Sequence, residues 1–222
     1  MSRTSTLRAA VFDFGETLLS EERAWGVWAD WLGVTRQELF AAIGATVEGR
    51  LPHRHALELC RPGFDLARAF MEREAAGIPR HEELYDVYPD AAPALARLRD
   101  AGLRVGFAGN QPAGAEVSLD GLIAEGDLVA TSADWGVAKP DPAFFARIAE
   151  ALDLPTDQIA YVGDRVDYDI LPAAAAGMFT VHLRRGPWGV IQAAWPEATT
   201  ADATAANLDE AVTAILKGAR PL

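Results

Sequence analysis

The chain is poor in several residues that would each point to a class of protein. It has a single cysteine, Cys60, so no internal disulfide can form, and a reducing, cytoplasmic setting is expected. Lysine occurs twice, at Lys139 and Lys217, and the other basic side chains are arginine. The formal charge is −12, with a pI near 4.7. A surface of that sign repels nucleic acid and anionic membranes, so neither is expected as a partner. Nowhere do 18 apolar residues run together, and the apolar stretch before Asp13 is too short for an export signal. What is present suffices for a core: 222 residues, half of them hydrophobic and 9% aromatic. That size accommodates one fair-sized domain, or a core with a smaller insert.

Two patterns divide the chain. Residues 8–14 are almost wholly apolar, as in a buried strand. From Glu21 to about Gly77 the spacing is helical, with helices expected over 21–32, 35–49, 53–60 and 65–77 and no strand. Trp25, Trp28 and Leu32 form one stripe, widened by Trp31, and are read first as a local core, with Trp25 or Trp28 lining a substrate pocket as the alternative. Thr35 and Glu38 have the spacing of a capping box. From Tyr88 onward strands alternate with helices. Strands are expected at 104–108, 128–131, 158–162 and 178–183. Helices are expected at 91–101, within 113–125, at 142–152, before Gly177, and at 208–217. Such alternation implies a parallel sheet with helices on both faces, an α/β Rossmann-like core. Residues 1–19 and 90–222 would form that core, and 20–89 a small all-helical domain inserted into it.

Ligands of an open parallel sheet bind where strands end at their carboxyl edges. Asp13, Gly15 and Thr17 follow the first strand. Gly109, Asn110 and Gln111 follow the second, Asp134 and Lys139 the third, and Gly163, Asp164, Asp167 and Asp169 the fourth. Asp13 and Asp164 at neighbouring strand ends would offer two hard oxygens to Mg²⁺. Lys139 would offset the charge of Asp13 or of a phosphate. Asp13 is placed to attack phosphorus and form an aspartyl-phosphate, with catalysis resting on placement and charge neutralisation.

At these residues the chain resembles the haloacid dehalogenase-like (HAD) hydrolases with a helical cap after the first strand. "DFGET" matches the D-x-D-x-T motif at Asp13 and Thr17. "VAKPDPAFF" matches the lysine motif at Lys139, and "VGDRVDYD" the G-D-x-x-x-x-D motif at Gly163, Asp164 and Asp169. The resemblance implies a hydrolase acting on a small phosphorylated metabolite with Mg²⁺. Asp13 would be nucleophile and metal ligand, and the Gly15 carbonyl a second ligand. Asp164 would be the acidic ligand, with Asp169 supporting the metal's waters or Lys139. Asn110 would contact phosphate through its N–H, and Thr17 would belong to the catalytic loop.

Two positions depart from that pattern. Gly15 stands where the family's phosphatases carry their general acid and base, and Gly109 where a hydroxyl usually binds phosphate. Loss of a positioned acid costs on the order of 10²–10⁴ in rate, so weak activity, or restriction to good leaving groups, is expected. Glu16 is the neighbouring acid considered as a stand-in. Two rival readings remain: a metal-independent dehalogenase-type hydrolase, and a catalytically weak binding or regulatory protein. A phosphonate-cleaving reading fails because residues 20–89 contain no lysine. His53 and His55, Asp167 and the "RRGPWG" stretch from Arg184 to Gly189 are expected at the surface. Cys60 is expected to be a buried small apolar residue.

Overall fold

The computed structural model describes residues 6–218. Both chain ends, including the N-terminal residues considered above for an export signal, lie partly outside that range. The elements in order are β1 (Ala9–Phe12), β2 (Leu19–Ser20), α1 (Glu22–Leu32), α2 (Arg36–Glu48), α3 (His55–Cys60), α4 (Leu66–Ala75) and β3 (Asp86–Val87). Then come α5 (Ala91–Asp100), β4 (Arg104–Gly109), β5 (Leu128–Thr131), α6 (Ser132–Trp135), α7 (Pro142–Leu152) and β6 (Ile159–Gly163). The chain closes with α8 (Leu171–Ala175), β7 (Phe179–Leu183), α9 (Gly186–Gln192), β8 (Ala203–Ala205) and α10 (Leu208–Gly218).

Six strands form one sheet in the order β5-β4-β1-β6-β7-β8, every pair parallel. Side chains alternate between its faces, and both faces are covered, which is why β1 is apolar at every position. Ala10 and Phe12 point to a core shared with Leu95 and Leu98 of α5 and Val212 and Ile215 of α10. Ala9 and Val11 point the other way, onto Phe144, Phe145, Ile148 and Leu152 of α7. The α/β Rossmann-like expectation holds. β1 lies between β4 and β6, at the point where strand order reverses, so a crevice opens beyond its carboxyl end.

Helices α1–α4 lie between β2 and β3, which pair as a short antiparallel ribbon. The sequence pattern showed no strand there, because two residues per strand carry no periodicity. α2 begins with the capping box, both hydrogen bonds present, a contribution of about 1 kcal/mol. Trp25, Trp28, Leu39 and Ile43 form a third core, and Trp188 of α9 is buried in it. Of the stretch expected at the surface, Arg184 is exposed, but the helix begins at Gly186 and buries Trp188, a plug between the two parts of the chain.

Three other expectations need correction. The helix expected within 113–125 is a single 3₁₀ turn, Ala115–Leu119, because Gly114 and Gly121 sit at φ +86° and +79° on either side. The segment before Gly177 opens with a π turn, Val166–Ile170, before α8 starts at Leu171–Pro172. Ala203–Ala205, where no strand was among those expected, forms the edge strand β8. Among the described residues no helix is long and apolar enough to cross a membrane.

Candidate active site

The register of the sheet assembles the site. Phe12 lies opposite Phe107 of β4 and Val162 of β6. The next residue, Asp13, continues the ladder by donating its N–H to the Val162 carbonyl at 2.9 Å. Its side chain then leaves the sheet beside Gly109 and Asp164. Lys139 reaches it from the loop between α6 and α7. Nζ lies 2.8 Å from Asp13 Oδ1 and 2.6 Å from Asp169 Oδ1. Asp13, Asp164 and Asp169 each bring a carboxylate oxygen within 4.8 Å of the others.

All four side chains are nearly removed from solvent. Burial would lower the Lys139 pKa, but Asp13 and Asp169 outweigh it and raise it well above the ordinary lysine value, so the ammonium stays charged. The Asp164 carboxyl is pushed well up, first by burial, then by Asp169 and Asp13. Asp169 rises to about 6 by burial, against the pull of Lys139. Three buried carboxylates thus face one ammonium. Uncompensated buried charge of this size is costly, and a hard divalent cation with oxygen ligands is what such a cluster fits.

Asp169 is committed on both oxygens: Oδ1 to Lys139 and Oδ2 to the Arg165 N–H at 2.9 Å. It is placed to hold the lysine. Asn110 does something its position in the sequence did not disclose. Its side chain donates to the Lys139 carbonyl at 2.9 Å and accepts the Lys139 N–H at 2.8 Å, latching the segment that carries the lysine. The Asp164 carbonyl meets Nε2 of His182 at 3.0 Å, which pins the turn after β6.

The two glycines now have a physical account. A Cβ on Gly109 would fall 2.4 Å from Asp13 Oδ1, so the nucleophile candidate occupies the space of any side chain there. A Cβ on Gly15 would fall 2.1 Å from Oε1 of Glu21, at the start of α1. Glu16 adopts φ +50° and also lines the cavity, but its carboxylate is engaged on both oxygens. Tyr88 donates to Oε2 at 2.6 Å and the Glu21 N–H to Oε1 at 3.0 Å. Burial, then the nearby Glu21, raises its pKa. Thr17 is fully buried and its hydroxyl has no hydrogen-bond partner among the described residues. Arg185 fixes this turn by donating to the Thr17 carbonyl at 3.1 Å while pairing with Asp90. It is thereby occupied and does not face the crevice. Thr131 caps α6 by accepting the Asp134 N–H at 3.1 Å and donates its hydroxyl to Asp134 Oδ2 at 2.6 Å, so Asp134 stays out of the cluster.

Above the carboxylates lies a cavity of about 300 Å³ whose wall includes Asp13, Glu21, Lys139, Asp164 and Arg165, with Trp25, Trp28, Phe70, Tyr85, Tyr168 and Trp188 as its aromatic part. The tryptophan stripe is both local core and cavity wall. His53, expected at the surface, is exposed yet lines this cavity, its ring edge-on to Trp188 with centroids 6.1 Å apart. His55 turns instead to Glu58 at 3.3 Å, so the two histidines do not form a ligand pair. Asp167 is half-buried, held by Arg165 at 2.7 Å and by Gln192 at 3.1 Å. Cys60 is partly exposed.

Similarity to known proteins agrees with this geometry. Residues 7–177 match the family model of the haloacid dehalogenase-like hydrolases. Over 196 residues, 84% of the chain and 77% of the relative, the sequence is 38% identical to a glyceraldehyde 3-phosphate phosphatase from Methanopyrus kandleri. It is 37% identical to a phosphoglycolate phosphatase from Cereibacter sphaeroides over 47% of the chain, a match spanning half of that relative. Among solved structures, a hydrolase of this family from Bacillus subtilis, bound to magnesium, superposes with a TM-score of 0.71 at 17% identity, covering 95% of the chain and 99% of its own. With a matching family model over most of its length and the charged cluster at the expected strand ends, the chain belongs to the haloacid dehalogenase-like hydrolases.

Proposed function

We propose that the protein is a Mg²⁺-dependent phosphatase acting on a small phosphorylated substrate, with Asp13 as the nucleophile. The observation that carries this reading is the buried excess of negative charge around Asp13, three carboxylates against one ammonium. Asp13, the Gly15 carbonyl and Asp164 would hold the ion. When bound, it supplies neutralisation of charge on the cluster and on the transferring phosphoryl group.

The rest is the work of the chain's own residues. The Asp13 oxygen forms a bond to phosphorus as the bond to the leaving oxygen breaks. Lys139, held by Asp169 and latched by Asn110, keeps its charge beside the attacking carboxylate. The N–H groups of Gly109 and Asn110, at the end of β4, would receive the transferred group. Thr17, with its unpartnered hydroxyl, lies in the same turn. Residues 20–89 act as a cap that closes the site from water, and the aromatic wall receives the part of the substrate beyond the phosphate. Similarity to phosphatases of small phosphorylated metabolites supports this substrate class.

The test is turnover of para-nitrophenyl phosphate and acetyl phosphate with and without Mg²⁺. The expected result is activity that EDTA abolishes and Mg²⁺ restores. Hydrolysis of a 2-haloacid unaffected by EDTA, with no phosphatase activity, would replace this reading with the dehalogenase one.

A further inference from the structure

The phosphatase reading requires a second step in which water cleaves the Asp13 phosphate, and that step needs a base. We infer that Glu21 is this base, reaching the site from the start of α1 into the space beside Gly15. The inference rests on the phosphatase reading, and its test separates the two.

Four observations carry it. First, glycine is not demanded by the backbone at position 15, whose φ lies outside the left-handed range. A side chain is excluded there by Glu21 instead: a Cβ would meet Oε1 at 2.1 Å, Cδ at 3.1 Å and Cγ at 3.6 Å. The Glu21 carboxylate therefore fills the volume a side chain two residues beyond Asp13 would fill. Second, the group is oriented. Trp25 Nε1 donates to Oε2 at 3.0 Å, and His81 Nε2 faces the same oxygen at 3.7 Å, while Oε1 is the oxygen turned toward Gly15. Third, Glu21 lines the same cavity as Asp13 and Asp164, with its side chain only 16% exposed. Fourth, the rival carboxylates are engaged, Glu82 of the cavity wall facing Arg80 at 3.8 Å. Glu16 is bonded on both oxygens by Tyr88 and the Glu21 N–H, and Asp169 on both by Lys139 and Arg165.

The step balances. The water oxygen bonds to phosphorus, the bond from phosphorus to the Asp13 oxygen breaks, and its electron pair returns to Asp13 as carboxylate. The proton leaving the water goes to Glu21 Oε1. The leaving group of the first step takes its proton from solvent, so good leaving groups remain favoured. His81 and Trp25 act as positioning residues, holding Oε2 so that Oε1 faces the phosphoenzyme.

The experiment is rapid-quench kinetics of para-nitrophenyl phosphate hydrolysis in Mg²⁺ by the wild type, Glu21→Gln, Glu21→Ala and the double variant Gly15→Asp/Glu21→Ala. Folding of each variant is followed by circular dichroism. Glu21→Gln is expected to release one equivalent of nitrophenol per enzyme in a burst and then turn over about 10²–10³-fold more slowly than the wild type, with phosphorylated protein accumulating. The double variant restores a carboxylate in the vacated space and is expected to exceed Glu21→Ala by at least about tenfold. Wild-type turnover by Glu21→Gln would overturn the inference, as would equal loss of burst and steady state, or a double variant no faster than Glu21→Ala. In those cases the wild-type phosphoenzyme still stands and the phosphatase reading survives. A wild type that hydrolyses no phosphate ester removes both.

Discussion

At the carboxyl edge of the sheet, Asp13, Asp164 and Asp169 crowd around the single ammonium of Lys139 in a nearly dry cluster set by strand register. In the cavity above, Trp25 and Trp28 of α1 meet Trp188 of α9, far away in sequence, and pack as a third hydrophobic core that also faces the cavity. In the first region Lys139 ties Asp13 and Asp169 together: removing one partner of a buried pair costs about 3–5 kcal/mol. The second is held by aromatic contacts worth about 0.5–1.5 kcal/mol each beyond burial. Under the proposed phosphatase reading, chemistry belongs to the sheet edge and substrate choice to the wall. Substitutions in the two regions should therefore have different kinetic signatures.

The sharpest contrast comes from Lys139→Met. It leaves Asp13 and Asp169 facing each other without their shared ammonium. kcat is expected to fall by on the order of 10²–10³, and unfolding free energy by about 3–5 kcal/mol, measured by steady-state kinetics and urea titration. A smaller and different effect is expected of Trp188→Leu, at the plug between the two parts. KM for an aryl phosphate should rise about twofold to tenfold, matching the loss of aromatic contacts, while KM for acetyl phosphate stays within about twofold. A variant that lowered kcat for both substrates equally would erase the division between edge and wall. The smallest effect is expected of Asn110→Ala. Two hydrogen bonds to the Lys139 backbone are lost, each worth about 1 kcal/mol, so kcat should drop less than about tenfold with KM unchanged.

The edge was legible in the sequence and the wall only at Trp25 and Trp28, for a physical reason. A buried parallel strand announces itself by consecutive apolar residues, and the polar residues that follow it sit at the sheet edge whatever the rest of the chain does. Asp13, Gly109, Asp164 and Lys139 could be read that way, and β5 and α7 ran over the expected residues, the latter because Asp141 and Pro142 begin a helix by themselves. The positions of Trp188, His53 and Glu21 depend on how separate segments meet. Trp188 read as part of a turn-rich loop because glycine and proline surround it, yet Gly186 and Pro187 start a short helix that seats the indole among Trp25 and its neighbours. Glu21 read as the start of α1. Its carboxylate reaches Gly15 only because the turn through Glu16 brings the chain back on itself, with the Glu16 N–H donating to the Leu19 carbonyl at 2.7 Å. The one signal available was the glycine itself: a side chain missing from a position whose backbone tolerates one implies that something else fills the place.

The central claim is that Asp13 forms a covalent bond to phosphorus. Acid quench of the protein during turnover of an aryl phosphate in Mg²⁺, followed by peptide mass mapping, tests it directly. The account predicts one phosphoryl group on the peptide carrying Asp13, and neither adduct nor turnover in Asp13→Asn, with a rate loss on the order of 10⁴-fold or more. Turnover with the phosphoryl group on another residue, or undiminished turnover by Asp13→Asn, would contradict it.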